Sequence, residues 1–405
     1  MAKTAGSRLS WAALAGLGTT VVAVKVGCAP IPHKEGNTWI DSVVLADVLA
    51  AVGPEVVLPA LDRMAIELDA LDDTLIAWDA AASGGGDADA ARLAARDQWE
   101  ATMMVWQELE LMQVGPAGSS LTVVAGEDIR DEVYSWPTVN PCRIDQEVVA
   151  EGWTDDSWFT ANLVNSYGLD ALEHIVHGDE DNACPSQVDI NADGTWAALG
   201  ADGVEANRIA FAQVLTAHLA DQVGALSEAW SPDSGDFSGA LARTTADSPY
   251  ESEEDALNAV FRAMFYLETV TKDRKLGQPL GEINCTTGTC PDDAEHLESG
   301  ASMDAVAANL RGFRNLFTGG DGAGIDDLLV ELGHNDLSDA ILTKTDTAIA
   351  AADSATVSVY EGVTSKPEAV DTVFAAVKDV TDLLKGDLVT VLALEVPAEA
   401  AGDND

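Results

Sequence analysis

The sequence predicts an all-α protein built from two helical bundles. Apolar residues recur at three- and four-residue spacing through most of the chain, which is the period of an amphipathic helix. Runs that alternate apolar and polar residues, typical of strands, are scarce. Because 405 residues are too many for one small core, the helices are expected to divide into two bundles.

The periodic segments are expected to form helices in this order. In the predicted first half, residues 41–235, they cover 41–80 with a break or kink at Pro54 and Pro59, 90–114, 157–177 and 203–230. In the predicted second half, residues 236–395, they cover 252–272, 302–317, 325–333, 336–353 and 366–385. The stretch 115–160 is expected to be extended or short-helical, and the acidic tail 396–405 to be disordered.

The proposed boundary between the halves is the turn-rich stretch "SPDSGDFSG" at 231–239. Serine, proline, glycine and aspartate favour turns and interrupt helices, and here they follow the long helix that ends at Trp230. A duplication of one helical half is compatible with this layout, but no short-period repeat supports it.

The N-terminal segment is typical of an export signal. Lys3 and Arg8 form a charged start, and the fourteen residues from Trp11 to Val24 form an apolar run. That run is too short to span a bilayer comfortably as a permanent helix. Residues 1–27 are therefore interpreted as a signal peptide, and the protein is expected to be exported.

The segment "VKVGCAP" looks like a bacterial lipobox, which predicts lipidation at Cys28. Lys25 departs from the apolar residue preferred there, and ordinary signal cleavage is the alternative. With an anchor at Cys28, residues 28–40 would be a linker on the periplasmic or cell-surface side. The membrane would then be contacted through the lipid alone.

The charge balance argues against polyanionic partners. The chain has 69 acidic and 21 basic residues, a formal net charge of −48, which opposes binding to nucleic acid or to an anionic membrane surface. Since 47% of the residues are hydrophobic, the chain is expected to fold with an acid-coated surface rather than stay disordered.

The remaining cysteines are expected to form disulfides. An even number of cysteines in an exported protein favours disulfides, and the paired spacing of a four-cysteine zinc site is absent. Cys285 and Cys290 in "CTTGTC" would close a small loop, and Cys142 and Cys184 would then tie two loops of the first half.

The densest group of potential metal ligands lies in "YGLDALEHIVHGDEDNACP", residues 167–185. On a helix, four polar residues at positions i, i+3, i+4 and i+7 share one stripe: Asp170, Glu173, His174 and His177. Carboxylate and imidazole together suit iron, zinc or manganese. The alternative is that the stripe is only the solvent-exposed face of an amphipathic helix, with histidines that favour its C-terminal end.

Acidic residues on other helices are candidates for the same interior site. Glu108 and Glu110 lie on the second predicted helix and Glu268 on a helix of the second half, and bundle cores that bind cations draw carboxylates from facing helices. Glu268 could equally pair with Lys272 one turn away.

The stretch "GLDALEHIVHG" at 168–178 resembles the signature segment of the imelysin family, whose pattern is Gly-x-His-x-x-Glu followed by an apolar helix end. Further segments resemble the family in the same order, so that the resemblance covers about residues 40–395. They are "VLPALDRMAIELDAL", "WQELELMQVGPAG", "SWPTVNPCRID", "YLETVTKDRKLGQPLG" and "LRGFRNLFTGG".

The resemblance implies a two-domain helical-bundle fold, export to the periplasm or outer membrane, and an association with iron uptake. It also implies a site at Asp170 and Glu173, where Asp170 replaces the family's histidine and Glu173 is retained. Aspartate can ligate a hard cation, but the replacement weakens the case for a softer metal and for the peptidase activity that named the family.

We therefore expect an exported lipoprotein that binds iron, or zinc, or a small ligand bearing a metal, and that works with iron-transport partner proteins. No residue is assigned a catalytic role, because the His-Glu-x-x-His pattern of helix-borne zinc proteases is absent. An imelysin-type metallopeptidase and a surface adhesion or structural module with a decayed site are the alternatives.

Overall fold

The structure is a computed structural model that describes residues 43–155, 157–179 and 181–397. The predicted signal peptide, Cys28 and most of the predicted acidic tail lie outside the described residues. Within the described ranges every regular element is helical, so the predicted all-α fold is confirmed.

The α-helices of the predicted first half have these bounds: α1 Val43–Ala51, α2 Leu58–Gly84, α3 Ala88–Glu110, α4 Ile129–Val133, α5 Pro141–Ala150, α6 Trp158–Ala161, α7 Leu169–His177, α8 Asp189–Ala192 and α9 Thr195–Trp230. Those of the predicted second half are α10 Phe237–Leu241, α11 Glu253–Met264, α12 Gln278–Leu280, α13 Ser302–Thr318, α14 Ile325–Glu331, α15 Asn335–Ser354, α16 Val359–Ser365, α17 Pro367–Leu383 and α18 Val389–Leu392.

Three π-helical turns extend these helices. The turn Val52–Val57 contains Pro54 and joins α1 to α2, so the break predicted there is a wide turn within one continuous helix. Leu267–Gly277 leads into α12, and Leu384–Leu388 links α17 to α18.

The continuous helix Val43–Gly84 is long and apolar enough to cross a membrane by length and composition. Half of its most apolar window is buried inside the protein. Its apolar stripe packs against α3 and α9, as expected for the core helix of a bundle.

Large aromatic side chains anchor the packing of α2, α3 and α9. Trp78, Trp99, Trp106 and Trp230 are each at most 2% exposed, so these large rings fill the cores between the helices. Helix α3 also packs against α13, so a helix of the predicted second half contacts the first-half bundle directly. The boundary proposed at 231–239 stays a prediction.

The helix predicted over 157–177 is interrupted. Residues Trp158–Ala161 form α6, Val164–Ser166 form a 3₁₀ turn, and α7 begins only at Leu169. Gly168 explains the break, because its φ of +101° and ψ of −175° are far from helical values. A Cβ at this position would lie 2.9 Å from the carbonyl oxygen of Val133.

Both predicted disulfides are present. Cys142–Cys184 ties the start of α5 to the loop after α7, and Cys285–Cys290 closes the short loop after α12. Both loops lie next to the candidate site described below.

Candidate functional site

A cavity of about 430 Å³ lies beside α7. Segments that are distant in sequence form its walls: residues 134–141, α7, and residues 274–298. Its polar lining residues are Tyr134, Asp170, Glu173, His174, Arg274, Gln278, Asn284, Asp292, Asp293, His296 and Glu298. Its apolar side is formed by Trp136, Pro137, Val139, Pro141, Ala294 and Leu297. Convergent polar groups opposite an apolar wall are typical of a small-molecule site.

The polar stripe of α7 faces inward. Asp170, Glu173 and His174 are 5%, 8% and 5% exposed and all line the cavity. The interpretation of the stripe as a solvent-exposed helix face is therefore wrong. Both faces of α7 are buried, since its apolar side packs against α3 and α9.

Asp170 occupies the histidine position of the motif and is fixed by three donors. Its Oδ2 accepts hydrogen bonds from the backbone N–H of Ser135 at 3.2 Å and the hydroxyl of Ser135 at 2.7 Å. Its Oδ1 accepts from the N–H of Ala171 at 3.0 Å. Burial nevertheless raises the pKa of Asp170 to about 7, because these neutral donors only partly offset the loss of solvation.

Glu173 forms a buried ion pair with His296. The ring Nδ1–H of His296 donates to Glu173 Oε2 at 2.9 Å, and the N–H and hydroxyl of Ser299 donate to Oε1 at 3.0 and 2.8 Å. Burial alone would raise the pKa of Glu173, but the charge of His296 and these hydrogen bonds lower it. Burial would lower the pKa of His296, whereas Glu173 and Glu295 raise it. Glu173 is therefore ionised at neutral pH, and its charge favours the protonated form of His296.

His174 is held between two carboxylates. Its Nδ1–H donates to Glu298 at 2.6 Å and its Nε2–H to Asp145 at 3.1 Å. Burial would lower the pKa of His174, but these hydrogen bonds raise it to about 9, so the ring is an imidazolium at neutral pH. Asp145 also accepts the N–H of Ala183 and lies 3.5 Å from Arg208.

His177 lies apart from the cavity. Its ring meets the edge of Trp99 at a centroid distance of 5.2 Å, and its Nε2 has no hydrogen-bond partner among the described residues. Burial and the nearby charges of Arg96 and Arg92 lower its pKa to about 4, so the ring is neutral. The two arginines donate to carbonyl groups at the C-terminal end of α7, where cations are favoured.

Glu110 belongs to a buried network instead of lining the cavity. It pairs with Lys275 at 2.9 Å and with Arg130 at 2.7 Å. Although burial raises its pKa, these two cations hold the value at about 2. Lys275 also contacts Glu295 at 3.0 Å, and Glu295 accepts the hydroxyl of Tyr134 at 2.7 Å. The network thus ties α3 to the segment that carries His296.

Glu268 lies outside the cavity lining and is fully buried with Lys272. The Nζ of Lys272 is 3.0 Å from its Oε1, which confirms the alternative i, i+4 pairing, and Lys385 approaches the same oxygen at 2.5 Å. Glu108 is half-exposed and pairs with Arg63.

The three cavity-lining candidates do not make a ready coordination set for a bare metal ion. Both ring nitrogens of His174 are directed at carboxylates, and His296 points one nitrogen at Glu173 and the other toward Gln107. Within the described ranges, no group of three or more His, Cys, Asp or Glu side chains is arranged to hold a metal. The residues therefore do not fit a bare ion without rearrangement.

Sequence reasoning missed His296, Glu295 and Lys275. His296 lies in a loop outside every motif singled out above, yet it is 4% exposed and contacts the motif glutamate. Lys275 sits in the segment "KLGQPLG" that carried part of the resemblance, and that segment was the available signal for it.

The fold and site together define an all-helical bundle protein with a charged cavity beside a short signature helix. The sequence model of the imelysin family matches residues 57–386 of this chain. The chain therefore belongs to the imelysin family.

Solved structures confirm the fold. An imelysin-like protein from Psychrobacter arcticum 273-4 is similar with a TM-score of 0.65 and 18% identity, over 87% of this chain and 97% of that one. A protein described as an iron-regulated protein A precursor from Parabacteroides distasonis ATCC 8503 is similar with a TM-score of 0.64 and 16% identity, over 86% and 94% of the two chains. A comparison with curated protein sequences found no significant match.

Proposed function

We propose that this protein binds a small ligand bearing a metal, with iron as the metal, in the cavity beside α7, and that it takes part in iron uptake. The observation that carries the proposal is the convergence of the two motif carboxylates, Asp170 and Glu173, on one cavity of about 430 Å³. The description of one structurally similar protein as iron-regulated supports the link to iron.

The lining favours a ligand-borne metal over a bare ion. The protein's own nitrogen and oxygen donors are already engaged with one another, whereas a chelate brings its own coordination shell. Such a ligand needs charged groups for its polar face and an apolar wall for its organic part, and Trp136, Pro137 and Leu297 supply that wall. In this function Glu173 and Asp170 contact the ligand, and no proton transfer or bond cleavage is required.

The test is iron retention. The purified protein is incubated with ferric citrate or with the ferric complex of a hydroxamate chelator, separated from free complex by gel filtration, and analysed for iron. We expect about one iron per chain and a higher melting temperature, because a ligand that binds only the folded state stabilises it. Stronger binding of free ferric or zinc salts would instead favour the bare-ion form, and no retention of any form would refute both.

Variants at the motif positions locate the site. Glu173→Gln is expected to weaken retention strongly, whereas Glu331→Gln removes an exposed carboxylate at the end of α14 and should leave retention unchanged. Asp170→His restores the family pattern, and we expect it to raise the affinity for zinc, because imidazole suits softer metals than carboxylate does. Equal retention by wild type and Glu173→Gln would remove the motif from the function.

We also propose that the chain is exported and lipid-anchored at Cys28, and that it delivers its ligand to iron-transport partners at the membrane. The apolar N-terminal run, the lipobox-like "VKVGCAP" and two disulfides, which persist in oxidising compartments, support this. Metabolic labelling with a fatty acid should be lost in Cys28→Ser. Labelling that survives this change would refute the anchor.

A further inference from the structure

A second cavity adjoins the first and has the opposite electrostatic character. Its volume is about 310 Å³, and it shares Trp136 and Arg274 with the first cavity. Three arginines line it, namely Arg130, Arg262 and Arg274, and none of its lining residues is acidic. In a chain with 69 acidic and 21 basic residues, a cavity lined by three cations and no carboxylate is an unusual concentration of positive charge.

Among the described residues, two of these arginines have no carboxylate partner. Within the described part of the chain, neither Arg262 nor Arg274 has a carboxylate oxygen within 4.0 Å, and both side chains are exposed. Both guanidinium groups are therefore accessible to a ligand from solvent.

Arg130 is held differently. It donates to Glu110 and to Asp131, and its guanidinium lies 5.8 Å from the ring centroid of Tyr134. Its Nε is buried and has no hydrogen-bond partner among the described residues. This arginine is therefore rigid and retains one unused donor.

The other lining residues suit a small oxyanion. Trp136, Phe265 and Tyr266 are 9%, 2% and 6% exposed and give the cavity an aromatic wall, which limits competition from water. Gln113, Thr122 and Thr269 add neutral polar groups. Guanidinium groups match the oxygens of carboxylates and phosphates through paired hydrogen bonds.

We propose that this second cavity is a binding site for a small oxyanion, a carboxylate or a phosphate, held by Arg262 and Arg274 beside the fixed Arg130. The site does not depend on a metal or on the motif carboxylates, so its test is independent of the test of the proposed function. Since the net charge of −48 repels anions from the molecule as a whole, binding depends on the local field of these arginines.

The experiment is calorimetric titration of the metal-free full chain with inorganic phosphate and, separately, with succinate, at low salt. We expect binding of at least one of the two, and the tighter one identifies the oxyanion class. Arg262→Gln/Arg274→Gln should weaken that binding by roughly tenfold for each arginine removed, because each loses a charge-assisted hydrogen bond.

The matched control is Lys366→Gln/Lys378→Gln, which removes two positive charges from residues that do not line the cavity. It should bind the anion as the wild type does. The proposal is overturned if neither anion binds below about 10 mM, or if the arginine variant, shown to be folded by its melting curve, binds as tightly as wild type. An equal loss in both double variants would also overturn it, since that loss would report net charge alone.

Discussion

Asp170 combines burial with neutral hydrogen-bond donors, so its protonation state depends on pH in the neutral range. Its pKa is about 7 in the folded protein, against about 3.9 for a solvated aspartate. At pH values between these two pKa values, the Asp170 carboxyl is ionised in the unfolded chain and protonated in the folded chain. Stability contributed by this group is therefore full below pH 4 and is lost as the pH rises through 7.

The first prediction concerns Asp170→Asn, which cannot ionise. The free energy of unfolding of the variant minus that of wild type should rise by about 2 to 3 kcal/mol from pH 5 to pH 8. The reason is that only the wild type has to ionise a buried carboxyl over this range. Urea unfolding at the two pH values measures this double difference. Glu331→Gln is the control, and a pH dependence in Asp170→Asn that equals that of wild type would contradict the pKa assignment.

His174 has a linkage of the same sign, in a higher pH window. Its pKa of about 9 exceeds the ordinary value near 6.5 because Asp145 and Glu298 stabilise the cation against the effect of burial. The resulting stability is full below pH 6.5 and is lost as the pH rises through 9.

The second prediction is that His174→Gln destabilises the protein by about 3 kcal/mol at pH 6, because it leaves the buried Asp145 without this cation. The loss relative to wild type should shrink as the pH approaches 10. Denaturant unfolding across pH 6 to 10 tests it. His334→Gln, at an exposed histidine, should show no such trend; a constant penalty for His174→Gln at every pH would indicate packing alone.

At the scale of elements, the start of α7 places the site. Gly168 adopts a positive φ and packs close to the carbonyl oxygen of Val133, so that the helix begins where Asp170 meets Ser135. The motif glycine therefore has a backbone role, and the motif acids follow on the first two turns of the helix.

The third prediction compares two glycine substitutions. Gly168→Ala should cost about 1 to 3 kcal/mol, since its Cβ would lie 2.9 Å from the carbonyl oxygen of Val133 and its φ is unfavourable for alanine. Gly84→Ala, at the end of α2 with nothing within 4 Å of the added Cβ, should be neutral or slightly stabilising. Thermal unfolding of both variants measures the loss of stability relative to wild type. Equal losses in the two variants would refute the role of the Gly168 conformation.

At the scale of the whole molecule, Lys275 joins segments that the sequence assigns to different halves. It is 1% exposed and bonds Gln107 and Glu110 of α3 as well as Glu295 of the loop beside the cavity. Asn309 of α13 donates to Gln107 and extends the network.

The fourth prediction is that Lys275→Met destabilises the protein by about 3 to 5 kcal/mol, because it leaves two buried carboxylates without their shared cation. Adding Glu110→Gln should recover part of this loss, so the two changes should not be additive in a double-mutant cycle. Lys344→Met, which breaks an exposed pair with Asp379, should cost less than about 1 kcal/mol. Additivity of the two buried changes would refute the coupling.

The helical fold and both disulfides were predictable because they rest on local signals: helical periodicity and the even cysteine count. The motif positions Asp170 and Glu173 were also found, through the spacing of a recognisable segment. The interruption before α7 was missed, because a glycine within an apolar periodic run does not by itself reveal its φ.

The sequence by itself determined an acidic, all-α chain with the imelysin pattern and one aspartate in place of its histidine. Only the tertiary structure decided that the stripe of α7 faces a cavity, that His296 pairs with Glu173, and that Glu110 and Glu268 are engaged by lysines. The physical reason is that burial and partner choice depend on contacts across more than a hundred residues of sequence, as between Glu173 and His296. Periodicity gives the face on which a side chain lies but not what packs against that face.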